Sequence, residues 1–149
     1  MKALKKFSDH TLLFTAPNVD YEANIIRAEI ENFAIQNSNA HFFNSLGSPL
    51  YLSLMRYSSC VIGNSSSGVI EAPLLGALSV NIGSRQSGRV MSKTILASSF
   101  NSSDIFSTIT RALDQKGSYK LSKLSPKDSP SSKIVKILQI CQIVKICQI

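Results

Sequence analysis

Five short apolar runs, at residues 11–15, 40–43, 60–63, 78–82 and 94–97, recur along the chain, each closed by turn residues. Runs that are apolar at consecutive positions suit strands covered on both faces, which is the condition of a parallel sheet. Between them lie segments with helical periodicity. Residues 21–36 place Ile25, Ile26, Ile30, Phe33 and Ala34 near one face and Glu22, Arg27, Glu29, Glu31 and Asn32 largely elsewhere, with Asp20 standing where an N-cap is wanted. Residues 49–57 form a second such segment. Residues 102–115 form a third, with Ser102 or Ser103 as N-cap and Gly117 just past its end. Strand and helix in alternation require crossover connections, so the expected fold class is α/β, a Rossmann-like parallel sheet flanked by helices. Such a sheet takes its ligands outside the carboxyl ends of its strands.

A chain of 149 residues, 44% hydrophobic and 17% charged, can build one core with neither disulfide nor structural metal. Cys60, Cys141 and Cys147 are odd in number and lack C-x-x-C spacing, which argues against a secreted disulfide framework and a zinc site and favours a reducing, cytoplasmic setting. The basic start, Met-Lys-Ala-Leu-Lys-Lys, has no apolar run behind it of the kind that a signal peptide or spanning helix requires. Sixteen Lys and Arg against nine Asp and Glu give a net charge of +7, which makes an anionic partner worth weighing. The lysines cluster at the two ends of the chain, as a solvated surface does. Without zinc-finger spacing, an aromatic RNA-binding signature or an arginine-rich helix, nucleic acid is not the expected partner.

The organisation divides into a domain over 1–116, a Ser/Pro/Lys-rich linker over 117–132 and a repetitive tail over 133–149. In the tail, isoleucine recurs at positions 134, 137, 140, 143, 146 and 149. A period of three slips against the ~3.6 residues of a helical turn, so the stripe winds around any helix instead of staying on one face. The tail therefore reads as a terminal helix that runs into an aberrant repeat, one the domain should fold without. Its few lysines and its length, short of about 20 apolar residues, argue against a membrane anchor.

Chemistry concentrates in Cys60-Val-Ile-Gly-Asn-Ser-Ser-Ser-Gly-Val-Ile-Glu-Ala-Pro, an apolar strand running into a small-residue turn and then a short helix. Ser65, Ser66, Ser67 and Gly68 leave backbone N–H groups unobstructed where hydroxyl donors and a helix N-terminus favour a phosphate or diphosphate. The same residues also serve as a plain helix cap, with Ser66 or Ser67 in that role. Glu71 follows one turn on, either as an ordinary acidic residue at a helix start or as the acceptor for a ribose diol. Pro73 should end this helix near Gly76. The next strand opens into Gly83-Ser-Arg-Gln-Ser-Gly-Arg, where Arg85 and Arg89 read as solvated loop residues or as a second clamp on the diphosphate.

The segments G-N-S-S-S-G-V-I-E-A-P at 63–73 and V-N-I-G-S-R-Q-S-G-R at 80–89 closely resemble the C-terminal half of the hydrolysing UDP-N-acetylglucosamine 2-epimerases of sialic acid biosynthesis. T-A-P-N-V-D at 15–20 and F-F-N-S-L-G-S-P-L-Y-L-S-L-M at 42–55 look like that family's upstream segments in the right order, so the resemblance covers residues 4–112. It implies the C-terminal domain of a GT-B fold, which holds UDP or UDP-N-acetylglucosamine without metal or redox cofactor. Ser65, Ser66, Ser67 and Gly68 would meet the diphosphate, Glu71 the ribose and Arg85 the nucleotide. Asn18 would approach from the first strand-to-helix loop, and the backbone at Leu46 would line the uracil pocket.

In the resembled family UDP is eliminated to leave 2-acetamidoglucal, and water addition then gives N-acetylmannosamine. That chemistry needs groups on both sides of the sugar. The family's N-terminal domain with its acidic residues, and its T-x-H-P-type segment, have no counterpart here, and His10 and His41 fall in no motif. No catalytic residue is therefore assigned, and the chain is expected to bind without turnover unless a separately encoded N-terminal half joins it. Homo-oligomerisation stays open. Two other readings remain beside this one: the nucleotide-sugar half of a GT-B glycosyltransferase, and a non-catalytic nucleotide or nucleic-acid module.

Overall fold

The computed structural model describes residues 1–17, 23–115 and 146–147. Its strands are β1 (Leu12–Thr15), β2 (Ala40–Phe43), β3 (Val61–Gly63), β4 (Ser79–Ile82), β5 (Ile95–Ser98) and β6 (Ile146–Cys147). They form one sheet in the order β2-β1-β6-β3-β4-β5, and every pair is parallel. The helices are α1 (Ala23–Gln36), α2 (Gly47–Tyr57), α3 (Glu71–Leu74) and α4 (Ser102–Asp114), with 3-10 turns at Leu4–Lys6 and, ahead of α3, at Ser66–Gly68. This is the expected α/β Rossmann-like arrangement, each of β1 to β5 lying within a residue of the apolar run that announced it.

Alternate strand residues feed two cores. Leu12 and Phe14 of β1, Ile62 of β3 and Val80 of β4 pack with Ile30 and Phe33 of α1 and with Ile109 and Ala112 of α4. Leu13 and Val61 point the other way, onto Leu54 and Met55 of α2 and Ala72 of α3. The sheet is thus covered on both faces, which is why its strands carry apolar residues at consecutive positions. Full burial of side chains such as Phe14 and Val80 stabilises the fold by about 1.5–3 kcal/mol each.

Two local expectations change. Only Ile30 and Phe33 of α1 are buried, whereas Ile25 is 64% exposed and Ile26 is exposed as well. The cap of α4 is Asn101 and not Ser102 or Ser103: its Oδ1 accepts from the Ser103 N–H at 2.8 Å. Asp104, in the first turn of α4, reaches back to accept from the Ser99 N–H at 2.7 Å, tying the helix start to the end of β5. The caps expected at Asp20 and Gly117 lie outside the described residues.

Of the tail, expected as a terminal helix running into an aberrant repeat, only Ile146–Cys147 is described. At Ile146–Cys147 the chain is a strand, paired in parallel with Leu13–Phe14 on one side and Val61–Ile62 on the other. A strand needs no 3.6-residue stripe, so the period-three repeat that defeats a helix is no obstacle to it. The position is central, between the half of the sheet that runs out to β2 and the half that runs out to β5. The linker over 117–132 and the rest of 133–149 lie outside the described residues. Among the described residues no helix is long and apolar enough to cross a membrane.

Candidate functional site

Because all strands run the same way, their carboxyl ends share one edge of the sheet. That edge collects Leu46 after β2, Ser65–Gly68 and Glu71 after β3, and Arg85 after β4. Asn18 lies outside the described residues. Leu46 is half-buried at the start of α2 and packs on the core formed by Leu13, Leu54, Met55 and Val61.

The serine turn is held close to the sheet. Gly68 is buried, and a Cβ there would come within 2.9 Å of the Ser79 Oγ on β4. Ser65, not Ser66 or Ser67, takes the cap position, its Oγ accepting from the Ser67 N–H at 3.4 Å. The Gly68 N–H donates to the Ser65 carbonyl, and those of Val69 and Ile70 donate to the Ser66 carbonyl. With these N–H groups engaged, what the turn offers an anion is mainly its half-buried hydroxyls, including the Ser65 proton, which accepting from Ser67 leaves free to give.

The helix behind the turn is shorter than the sequence implied. Between Gly68 and α3 the chain makes a break at Val69 and Ile70, so Glu71 is the first residue of α3 and not a turn inside it. Pro73 sits inside α3, which ends at Leu74 ahead of Gly76. A four-residue helix has too few aligned peptides for a strong macrodipole, so side-chain donors must carry any anion affinity. The half-buried Glu71 carboxylate is unusual in one respect: its Oε2 is sealed from solvent without a hydrogen-bond partner.

Strands β3 and β4 are neighbours in register, Gly63 opposite Asn81, so the arginine loop springs from beside the serine turn. Gly83 turns the chain with φ +74, and the Phe100 ring from beyond β5 lies over it, leaving no room for a Cβ. Arg85 and Arg89 are exposed along the loop. The loop meets the turn through Gln86, whose Nε2 donates to the Asn64 carbonyl at 2.8 Å. Sequence reasoning passed over Gln86 because it carries no charge and belongs to no periodic stripe. Its place inside the R-Q-S-G-R segment was the only signal for it.

Cys60 is buried just before β3, and burial pushes its thiol up to about 12 against a small opposing effect from the Val80 backbone. It is a core side chain, not a nucleophile. His10 lies far from this edge in sequence and hydrogen-bonds Asp9 at 2.6 Å.

A family model described as UDP-N-acetylglucosamine 2-epimerase matches residues 1–139. The chain belongs to the UDP-N-acetylglucosamine 2-epimerase family. Among individual relatives it is 39% identical over 105 residues to the GDP/UDP-N,N'-diacetylbacillosamine 2-epimerase (hydrolyzing) of Campylobacter jejuni, a match covering 70% of this chain and 27% of that protein. It is 33% identical over 111 residues to the UDP-N-acetylglucosamine 2-epimerase of Neisseria meningitidis, covering 74% of this chain and 29% of the relative. Polysialic acid biosynthesis protein P7 of Escherichia coli is 37% identical over 87 residues, covering 58% and 22%. The chain therefore spans less than a third of the length of the curated relatives it matches.

Proposed function

We propose that this chain is the UDP-binding half of a hydrolysing 2-epimerase acting on UDP-N-acetylglucosamine, and that it binds this ligand without turning it over alone. The observation that carries the reading is the direct bond between the two loops: the Asn64 carbonyl, at the head of the serine turn, accepts from Gln86 in the arginine loop at 2.8 Å. A turn rich in hydroxyls and a loop rich in guanidinium are thereby held side by side, the combination that suits a diphosphate more than a single phosphate. Ser65, Ser66 and Ser67 meet the diphosphate through their hydroxyls in this reading, Gly68 lets the turn lie against Ser79, Arg85 adds charge, and the half-buried Glu71 carboxylate takes the ribose hydroxyls. Leu46 borders the base, and Asn18, outside the described residues, is assigned to the ligand on the family resemblance alone.

The reaction breaks the bond between C1 of the sugar and the UDP oxygen while a base takes the C2 proton, giving UDP and 2-acetamidoglucal. Water then adds across C1 and C2, its hydroxyl to C1 and a proton to the other face of C2, to give N-acetylmannosamine. The residues named here stabilise the departing diphosphate. In this reading the base and the returning acid belong to the family's other domain. A second reading of the sugar, N,N'-diacetylbacillosamine, is favoured by the 39% identity to the Campylobacter jejuni relative.

Calorimetry with UDP and UMP tests the anion site: UDP is expected to bind more tightly, and equal affinity would sink the assignment. Incubation with UDP-N-acetylglucosamine, following UDP and N-acetylmannosamine by chromatography, should show no sustained product from the chain alone. Product that disappears on mutating one of the chain's own carboxylates would overturn the division of labour. Competition between the two UDP-sugars decides between the substrates.

A further inference from the structure

We propose that Gln86 is a positioning residue for the diphosphate site: it clasps the arginine loop to the serine turn and so fixes where the Arg85 guanidinium can act. The inference rests on the UDP reading above and names the residue that makes it work. From Ser84 to Val90 every side chain is exposed except Gln86, which is 5% exposed. A neutral amide buried from an otherwise solvated loop has to be anchored by something, and its Nε2 spans 22 residues to the Asn64 carbonyl. Asn64 immediately precedes Ser65, so the bond lands at the head of the turn. The loop also winds about Gln86: the Ser87 N–H donates to the Ser84 carbonyl at 2.9 Å, and the Arg89 N–H to the Gln86 carbonyl at 3.3 Å. Fixing Gln86 therefore fixes the direction in which its neighbour Arg85 leaves the backbone.

The other end of the same amide separates positioning from plain stabilisation. Gln86 Oε1 is sealed from solvent with no hydrogen-bond partner. A buried acceptor left unsatisfied works against folding, so an apolar side chain of the same volume should cost the fold little. Stability alone does not account for a glutamine at this position. A bond that holds two loops in register does.

The test uses Gln86→Met, which keeps the volume and removes the donor, beside Gln86→Glu, which sets a carboxylate against the Asn64 carbonyl. Limited trypsin digestion mapped by mass spectrometry reads the loop directly, since Arg85 and Arg89 are its cleavage points. Cleavage after them should accelerate roughly 5-fold or more in both variants, while the Gln86→Met melting temperature is unchanged, because the local opening that exposes a loop is distinct from global unfolding. Calorimetry should show the preference for UDP over UMP reduced in Gln86→Met. In a cycle with Arg85→Ala the two losses should be non-additive by roughly 5-fold, because one residue acts through the other. Unchanged cleavage, or additive losses, overturns the proposal. Faster cleavage in a protein whose unmutated form does not distinguish UDP from UMP leaves the clasp standing and removes the diphosphate from it.

Discussion

Replacing Glu71 by glutamine should move stability and affinity in opposite directions. In the unliganded fold the Glu71 Oε2 is sealed from water and accepts no hydrogen bond. An unsatisfied buried polar group costs about 1–3 kcal/mol, and more when it carries charge, so exchanging the carboxylate for a neutral amide relieves part of that cost. The opposing loss is the attraction of an acidic group to the start of a helix, about 0.3–1 kcal/mol in helices of ordinary length and smaller for the four residues of α3. The balance favours glutamine by roughly 1 kcal/mol, which for a chain of this size raises the melting temperature by about 2–4 °C. With UDP bound, the half-buried carboxylate is to accept from a ribose hydroxyl, and a hydrogen bond to a charged group contributes about 1.5–3 kcal/mol. Its loss should raise the dissociation constant for UDP roughly 10- to 150-fold. Thermal melts followed by circular dichroism, and calorimetric titration with UDP, measure both quantities on one preparation. A variant that melts lower and binds UDP unchanged would refute the reasoning and return Glu71 to the role of an ordinary acidic residue at a helix start.

Deleting residues 146–149 should lower and broaden the melting transition, because the backbone at Leu13–Phe14 and Val61–Ile62 loses the strand between them; an unaltered melt would show that β6 contributes nothing to the core. Gly68→Ala should destabilise by about 1–3 kcal/mol, since its Cβ meets the Ser79 Oγ at 2.9 Å, and Ser79→Ala in the same chain should restore most of the loss in denaturant unfolding. Asp104 is held below its ordinary value of 3.8, first by the Ser99 N–H it accepts from and then by the Ser99 and Ser98 hydroxyls. A carboxyl depressed on folding contributes stability above its ordinary value and loses it as pH falls through the depressed one, so Asp104→Asn should flatten the acid limb of a plot of melting temperature against pH. An identical acid limb in both proteins would remove that contribution.

Local chemistry was enough to announce the architecture. The apolar run at residues 40–43 becomes β2 without a shift, and Pro73 marks α3 as short, because burial on both faces and the missing proline N–H act on the chain whatever its neighbours do. Sequence also placed Ser65, Glu71 and Arg85 on one edge, since parallel connectivity leaves the carboxyl ends of the strands nowhere else to go. What depended on contacts across the chain was not legible. Ile25 and Ile26 match the helical stripe but stand exposed, because a periodicity names a face and not what covers it. Gln86 looked like any polar loop residue until β3 and β4 paired and brought the Asn64 carbonyl within 2.8 Å of it. The period of the isoleucine repeat gave no sign of a strand, and only the ladder edges of β1 and β3 could make Ile146–Cys147 one. A strand owes its hydrogen bonds to partners far away in the chain, whereas a helix makes its own within four residues, so the first is decided by tertiary structure and the second can be read locally.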